Sequence, residues 1–220
     1  MELNKYIEHT LLKQNATRNE VKKLLDEAHE YSFLGVCVNP CNVSFAKRYL
    51  KEIGADEVKV VTVIGFPLGQ STTEIKILET IDAIKNGADE IDMVINGGKL
   101  KDGEYDYITD EISKIKFVCQ GRNLKVILET DLLSQDEIRK ACELCIKGGA
   151  DFVKTSTGFV KNGVGAKAED VRLMCETVKE AGLQVKASGG IRDKEAALKM
   201  IESGAVRLGT SSGVAICSQG

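Results

Sequence analysis

Two lysines sit where the chain otherwise reads as buried strand. Lys154 lies in GGADFVKTSTGF (residues 148–159), and Lys186 lies in GLQVKASGGI (residues 182–191). A third charge, Asp92, stands inside EIDMVIN (residues 90–96). Successive side chains of a strand point to opposite faces. Ile91, Met93, Val153 and Val185 would therefore face one way, and Asp92, Lys154 and Lys186 the other. A buried charge is costly unless it is paired. Two ammonium groups against one carboxylate leave a positive surplus, which is relieved if one amine releases its proton. An ordinary lysine, with a pKa of ~10.4, is neutral in about one molecule in 2,500 at pH 7, and bringing such a group to roughly 7 takes ~4.6 kcal/mol. Burial beside a second ammonium group is one way to supply that energy. The product is an amine able to attack a carbonyl and form a Schiff base. A single lysine in a strand more often snorkels to the surface; here three charges on three strands share the inward direction.

Anion chemistry is suggested further along. The stretches TSTG (155–158), SGG (188–190) and TSSG (210–213) combine hydroxyls with closely spaced backbone N–H groups. TSSG also opens a short final helix, whose N-terminus attracts phosphate.

These residues need strands to position them, and the sequence supplies a repeat. IGADEVKVVTVI, NGADEIDMVI, GGADFVKTS and SGAVRLGTS share a glycine, a polar step and an apolar β-branched run, and two looser copies surround Gly121 and Gly182. The six glycines, at 54, 87, 121, 149, 182 and 204, are separated by 33, 34, 28, 33 and 22 residues. That spacing suits one strand, one helix and two loops. Between the glycines the apolar residues follow helical periodicity: Val21, Leu24, Leu25, Ala28; Ile138, Ala141, Cys142, Cys145; Val171, Met174, Cys175, Val178. TRNE at Thr17, STTE at Ser71 and SQDE at Ser134 have the form of capping boxes. With strands near Ile7 and Phe33 the total is eight. The prediction is a closed (β/α)8 TIM barrel occupying residues 1–220 as one domain, with its site at the carboxyl ends of the strands. An open doubly wound sheet is the alternative, but the chain has no GxGxxG and no GxxxxGK[ST]. At the strand ends stand His9 and Thr10, Cys37 and Asn39, Thr62, Asp92, Glu129 and Thr130, Lys154, Lys186, and the GTSSG run.

Composition narrows the function classes. A net charge of −3, 5% aromatic residues and no Trp argue against a nucleic-acid partner. No apolar run is long enough to span a membrane, and the charged N-terminus has no signal-peptide core, so a cytosolic protein is expected. Seven cysteines spread through helices and strands suit reduced thiols rather than a disulfide frame. Cys142 and Cys145 form a CxxC inside a helical pattern, which reads as packing. Two histidines, His9 and His29, are too few for a zinc-dependent lyase. His9 suits a hydrogen-bonding role, and no metal or cofactor is expected.

The chain resembles the deoxyribose-phosphate aldolase family in EHTLL, GVCVNP, EIDMVIN, LKVILET, FVKTSTGF, VKASGGIR and RLGTSSG, which run in family order from residue 8 to residue 213. The resemblance implies a metal-free class I aldolase on a (β/α)8 barrel. It would reversibly cleave 2-deoxy-D-ribose 5-phosphate into acetaldehyde and glyceraldehyde 3-phosphate, with a place in nucleoside salvage. On that basis Lys154 corresponds to the Schiff-base lysine. Lys186 corresponds to the second lysine, which makes the first shed its proton, and Asp92 to the aspartate that moves protons with water. Thr157, Gly158, Gly189, Gly190, Ser211 and Ser212 correspond to substrate and phosphate contacts. Cys37 corresponds to a cysteine near the substrate pocket, open to reactive aldehydes. Some family members end in a tail with a terminal Tyr, whereas this sequence ends in CSQG. A homodimer is expected. The competing readings are another class I phosphosugar aldolase or transaldolase, a phosphosugar isomerase whose lysines pair with phosphate, and a binding protein without turnover. Only the aldolases would form an imine.

Overall fold

Strand alternation decides the architecture. The computed structural model describes residues 2–218, so Gln219 and Gly220 of the CSQG stretch lie outside the described residues. The strands are β1 (Ile7–Leu11), β2 (Gly35–Val38), β3 (Lys59–Ile64), β4 (Glu90–Val94), β5 (Asn123–Ile127), β6 (Phe152–Lys154), β7 (Gln184–Ser188) and β8 (Arg207–Thr210). They pair in sequence order, all parallel, and β8 returns to β1 to close the predicted barrel. Between and after them run α1 (Arg18–Glu30), α2 (Val43–Glu52), α3 (Thr73–Lys85), α4 (Gly97–Lys101), α5 (Tyr105–Val118), α6 (Gln135–Gly148), α7 (Ala168–Val178), α8 (Lys194–Glu202) and α9 (Gly213–Ser218).

Closure produces two separate apolar cores. Ile91, Met93, Val153 and Val185 face outward, as alternation requires, and join Leu25, Ile112 and Cys145 of the surrounding helices in one continuous core. The predicted packing role of the CxxC therefore holds, since Cys142 and Cys145 both lie in that core. A small second cluster, Leu12, Cys37, Val61 and Val63 with Phe66 against it, lies apart from the first. It fills the β2–β3 side of the lumen. The rest of the wall, from β4 round through β8 to Glu8 of β1, is left for charged residues.

Local signals fix the helix ends. Thr17–Glu20 and Ser134–Glu137 form reciprocal capping boxes at α1 and α6, each worth about 1 kcal/mol. At α3 the expected box on Ser71 is not made. The cap is Thr72, whose hydroxyl accepts from the Ile75 N–H at 3.4 Å; isoleucine cannot reciprocate. The register is set by Thr73 and Lys76, which reach a buried cluster: Lys76 Nζ lies 2.8 Å from Glu111 of α5, and the Thr73 hydroxyl lies 3.2 Å from the same carboxylate. All six repeat-marking glycines have positive φ. Gly149, at φ 77°, closes α6 in the left-handed conformation that turns the chain into β6.

Candidate active site

Register brings the charges into one layer. Lys154 of β6 pairs directly with Lys186 of β7, and Asp92 of β4 with Lys125 of β5. The Asp92 carboxylate is the hub. Its Oδ2 accepts from Lys154 Nζ at 2.8 Å and from Lys186 Nζ at 2.7 Å, and its Oδ1 accepts from Lys125 Nζ at 3.0 Å. Lys186 also donates to Glu8 of β1. Lys125 reaches Glu90 at 2.6 Å, and Arg207 lies 3.7 Å from Glu8 at the rim of the network.

The convergence of Asp92, Lys154 and Lys186 is as the sequence predicts, but their surroundings are not. Glu8, Glu90 and Lys125 are fully or almost fully buried in the same network. Within the buried layer three carboxylates face three ammonium groups, and Lys59 and Arg207 reach Glu90 from the rim at 2.8 and 3.8 Å, so the two-to-one ratio inferred from two lysines and one aspartate does not describe the site. What acts on Lys154 is local geometry: it shares a single carboxylate oxygen with a second amine. Alternation could have found the missing members. Glu8 stands one residue from Ile7, and Lys125 lies between Leu124 and Val126, which face the helices.

The protonation states follow from the contacts. Burial opposes the charge on Lys186, but the Asp92 and Glu8 carboxylates prevail and hold it above the ordinary lysine range. Lys125 is raised in the same way, burial being outweighed by Asp92 and Glu8. Burial would raise Asp92, but Lys125, Lys154 and Lys186 hold it well below the usual carboxylate range. Glu90, with burial outweighed by Lys125, is pushed down to about 2. The sign of the linkage is fixed. Depressed carboxylates stabilise the fold above their unfolded values and lose that contribution as pH falls through the folded ones. Raised lysines stabilise below ~10.4 and lose it only above. The thermal midpoint is therefore expected to be flat between about pH 5 and 9 and to fall from about pH 4 toward 2. Calorimetry across that range checks it, and a midpoint that rises on acidification would contradict the assignment.

Above this layer opens a cavity of about 800 Å³ at the carboxyl ends of β1, β6, β7 and β8. Lys154 is the member of the charged layer that lines it. Asp92 and Lys186 are 0% exposed and lie beneath, in contact with Lys154. Of the other predicted contacts, Thr157, Gly158, Gly189, Gly190 and Ser211 line the cavity. Ser212 does not; its N–H donates to the Thr210 hydroxyl at 2.9 Å, just before α9. Cys37 does not reach the wall either. It is buried in the inner apolar cluster, and burial pushes its thiol up to about 11, which keeps it in the poorly nucleophilic thiol form. Thr62 is turned from the lumen and donates to the Val38 carbonyl at 2.7 Å. His9 makes the expected hydrogen bond, 2.8 Å to Glu27 of α1. Sequence reading did not single out two cations that line the cavity, Lys13 and Arg192.

Residues 3–219 match the DeoC/LacD family aldolase profile. The chain belongs to this family. Curated members include the deoxyribose-phosphate aldolase of Finegoldia magna, 55% identical over 98% of this chain and 99% of that one, and that of Enterococcus faecalis, 55% identical over 99% and 97%. Among solved structures, the tetrameric deoxyribose phosphate aldolase of Aeropyrum pernix superposes with a TM-score of 0.89 at 33% identity, covering 98% of this chain and 89% of that one. No helix among the described residues is long and apolar enough to cross a membrane.

Proposed function

We propose that this aldolase reversibly cleaves 2-deoxy-D-ribose 5-phosphate to acetaldehyde and glyceraldehyde 3-phosphate through a Schiff base on Lys154. The observation that carries the reading is a lysine at the floor of the cavity whose Nζ shares Asp92 Oδ2 with a second lysine. Two ammonium groups on one oxygen repel each other. Lys186 is held charged by Asp92 and Glu8, and Lys154 is the amine that faces the cavity, so Lys154 is the one placed to meet the carbonyl.

The neutral amine adds to C1 of the open-chain sugar, and loss of water leaves a protonated imine. The imine withdraws the electron pair of the C2–C3 bond. As that bond breaks, the C3 hydroxyl proton passes to Asp92 through a water, and C3 leaves as the aldehyde of glyceraldehyde 3-phosphate. The remaining enamine takes a proton at C2, and water releases acetaldehyde and Lys154. The phosphate is held across the cavity, where the backbone of Gly189, Gly190 and Ser211 combines with the charges of Lys13 and Arg192, and Thr157 and Gly158 flank the sugar chain beyond C2, between the phosphate and Lys154.

Borohydride trapping tests this reading. Incubation with 2-deoxyribose 5-phosphate and reduction is expected to leave a mass adduct on the peptide containing Lys154. A protein that binds the sugar phosphate but yields no adduct would be an isomerase or a binding protein instead.

We further read residues 1–220 as one catalytic domain of a cytosolic homodimer. The support for self-association is apolar and outward-facing. Ile75, Leu78 and Ile81 form an exposed stripe on α3, and Phe117 on the neighbouring α5 is 85% exposed. A pair of such faces related by a two-fold axis would cover them. Leu78→Glu is expected to lower the light-scattering mass from dimer to monomer; an unchanged mass would place the interface elsewhere.

A further inference from the structure

The connection from β6 to α7, residues 155–167, forms one wall of the cavity. It is held from the side by two carboxylates that follow β5. Glu129 is buried, and its backbone adopts φ 60° and ψ 63°, the left-handed region that a side chain enters only where its surroundings demand it. The reason is visible in its contacts. One carboxylate oxygen accepts the Thr157 N–H at 3.0 Å, and the other accepts the Thr157 hydroxyl. That hydroxyl in turn accepts the Phe159 N–H at 3.0 Å. Two residues on, Asp131 accepts the Gly165 N–H at 2.7 Å, and the adjacent Ala166 N–H reaches the Gly189 carbonyl at 3.0 Å. Both donors of Thr157 are thus committed to Glu129, and the loop is tied at both ends. Glu129 does not line the cavity above Lys154, so it cannot meet the reacting carbons directly.

We propose that Glu129 is a positioning residue: its carboxylate fixes Thr157 and, through it, the wall beside Lys154 that receives the sugar phosphate. The inference rests on the proposed function for its kinetic consequences but not for the clamp itself. A geometric clamp needs acceptor geometry more than charge. Glutamine can reproduce it, with its carbonyl taking the Thr157 N–H and its amide donating to the Thr157 hydroxyl. Alanine cannot.

The test compares E129A, E129Q and T157V by two measurements, amide hydrogen exchange and steady-state kinetics. In E129A, exchange in peptides covering 155–167 is expected to accelerate about tenfold with the barrel strands unchanged. KM for 2-deoxyribose 5-phosphate should rise about tenfold, the loss expected of a hydrogen bond to a charged group. Borohydride trapping of acetaldehyde on Lys154 should stay within about twofold, because acetaldehyde lacks the sugar chain that the Thr157 wall flanks. E129Q should behave like the parent in all three. T157V should shift in the direction of E129A, and the double variant should add nothing further. Parental exchange and KM in E129A would overturn the proposal. So would an E129Q as impaired as E129A with a displaced pH profile, which would mark a proton-transfer role. If E129A does not fold, T157V and E129Q still decide. If the parent protein fails to cleave the sugar phosphate, the proposed function falls, while the exchange measurement still reads the clamp.

Discussion

Lys154→Ala should yield a folded protein that no longer cleaves 2-deoxyribose 5-phosphate and no longer accumulates a borohydride-stable adduct. The loss of activity should be on the order of 10⁴-fold or more, since removing a covalent nucleophile eliminates the pathway rather than slowing one step. Stability should change little. Asp92 keeps Lys125 on Oδ1 and Lys186 on Oδ2, so no carboxylate is left unpaired, and the vacated volume opens to the cavity that Lys154 lines, where water can enter. A denaturation midpoint within about 1 kcal/mol of the parent is expected. Lys186→Met separates the two lysines. It should slow turnover, yet mass spectrometry should still find the adduct on Lys154. An adduct on Lys186 in the Lys154→Ala protein would reverse the roles assigned here.

The assignment of these roles was open to sequence reasoning because alternation is local. Ile91 and Met93 around Asp92, like Val153 and Val185 beside the two lysines, declare the outward face, and the closed barrel turns the remaining residues inward. Which charges share a layer is not local. It depends on strand register, and that is how Lys125 comes to lie opposite Asp92. The count of two ammonium groups against one carboxylate failed for this reason: Glu8, Glu90 and Lys125 belong to strands whose stagger the sequence does not state. Cys37 illustrates a related limit. Its position near a strand end was legible, but its depth below the cavity was not, because depth depends on the side chains of β2 and β3 packing inside the barrel. Glu129 was visible as a polar strand end. Its left-handed backbone and its grip on Thr157 depend on a loop that begins 26 residues later in the chain, and no periodicity reports that contact. Helix signals fared best where the capping residues had no other task. They failed at Ser71, where Thr73 was needed by a buried carboxylate.

Asp92→Asn removes the hub while keeping its shape. Three buried amines donate to this carboxylate, and an amide presents one acceptor and one donor in its place. Whichever way it is oriented, an N–H₂ group meets an ammonium. Breaking a buried ion pair from one side costs about 3–5 kcal/mol, and denaturant unfolding at pH 7 should show a loss of that order. The loss should also acquire a pH dependence absent from the parent. In the variant an uncompensated amine is easier to deprotonate folded than unfolded, so the unfolded chain binds more protons and stability rises with pH. The deficit is therefore expected to shrink from pH 7 toward 9, where the parent is flat. Catalysis should divide along the same line. An amine relieved of its proton can still condense with acetaldehyde, so trapping on Lys154 should persist. Cleavage of the sugar phosphate needs a base for the C3 hydroxyl proton and should fall by about 10²–10⁴-fold. Trapping and cleavage lost in equal measure would mean that Asp92 serves only to hold Lys154 in place. Cleavage retained near the parental rate would remove it from the proton transfer altogether.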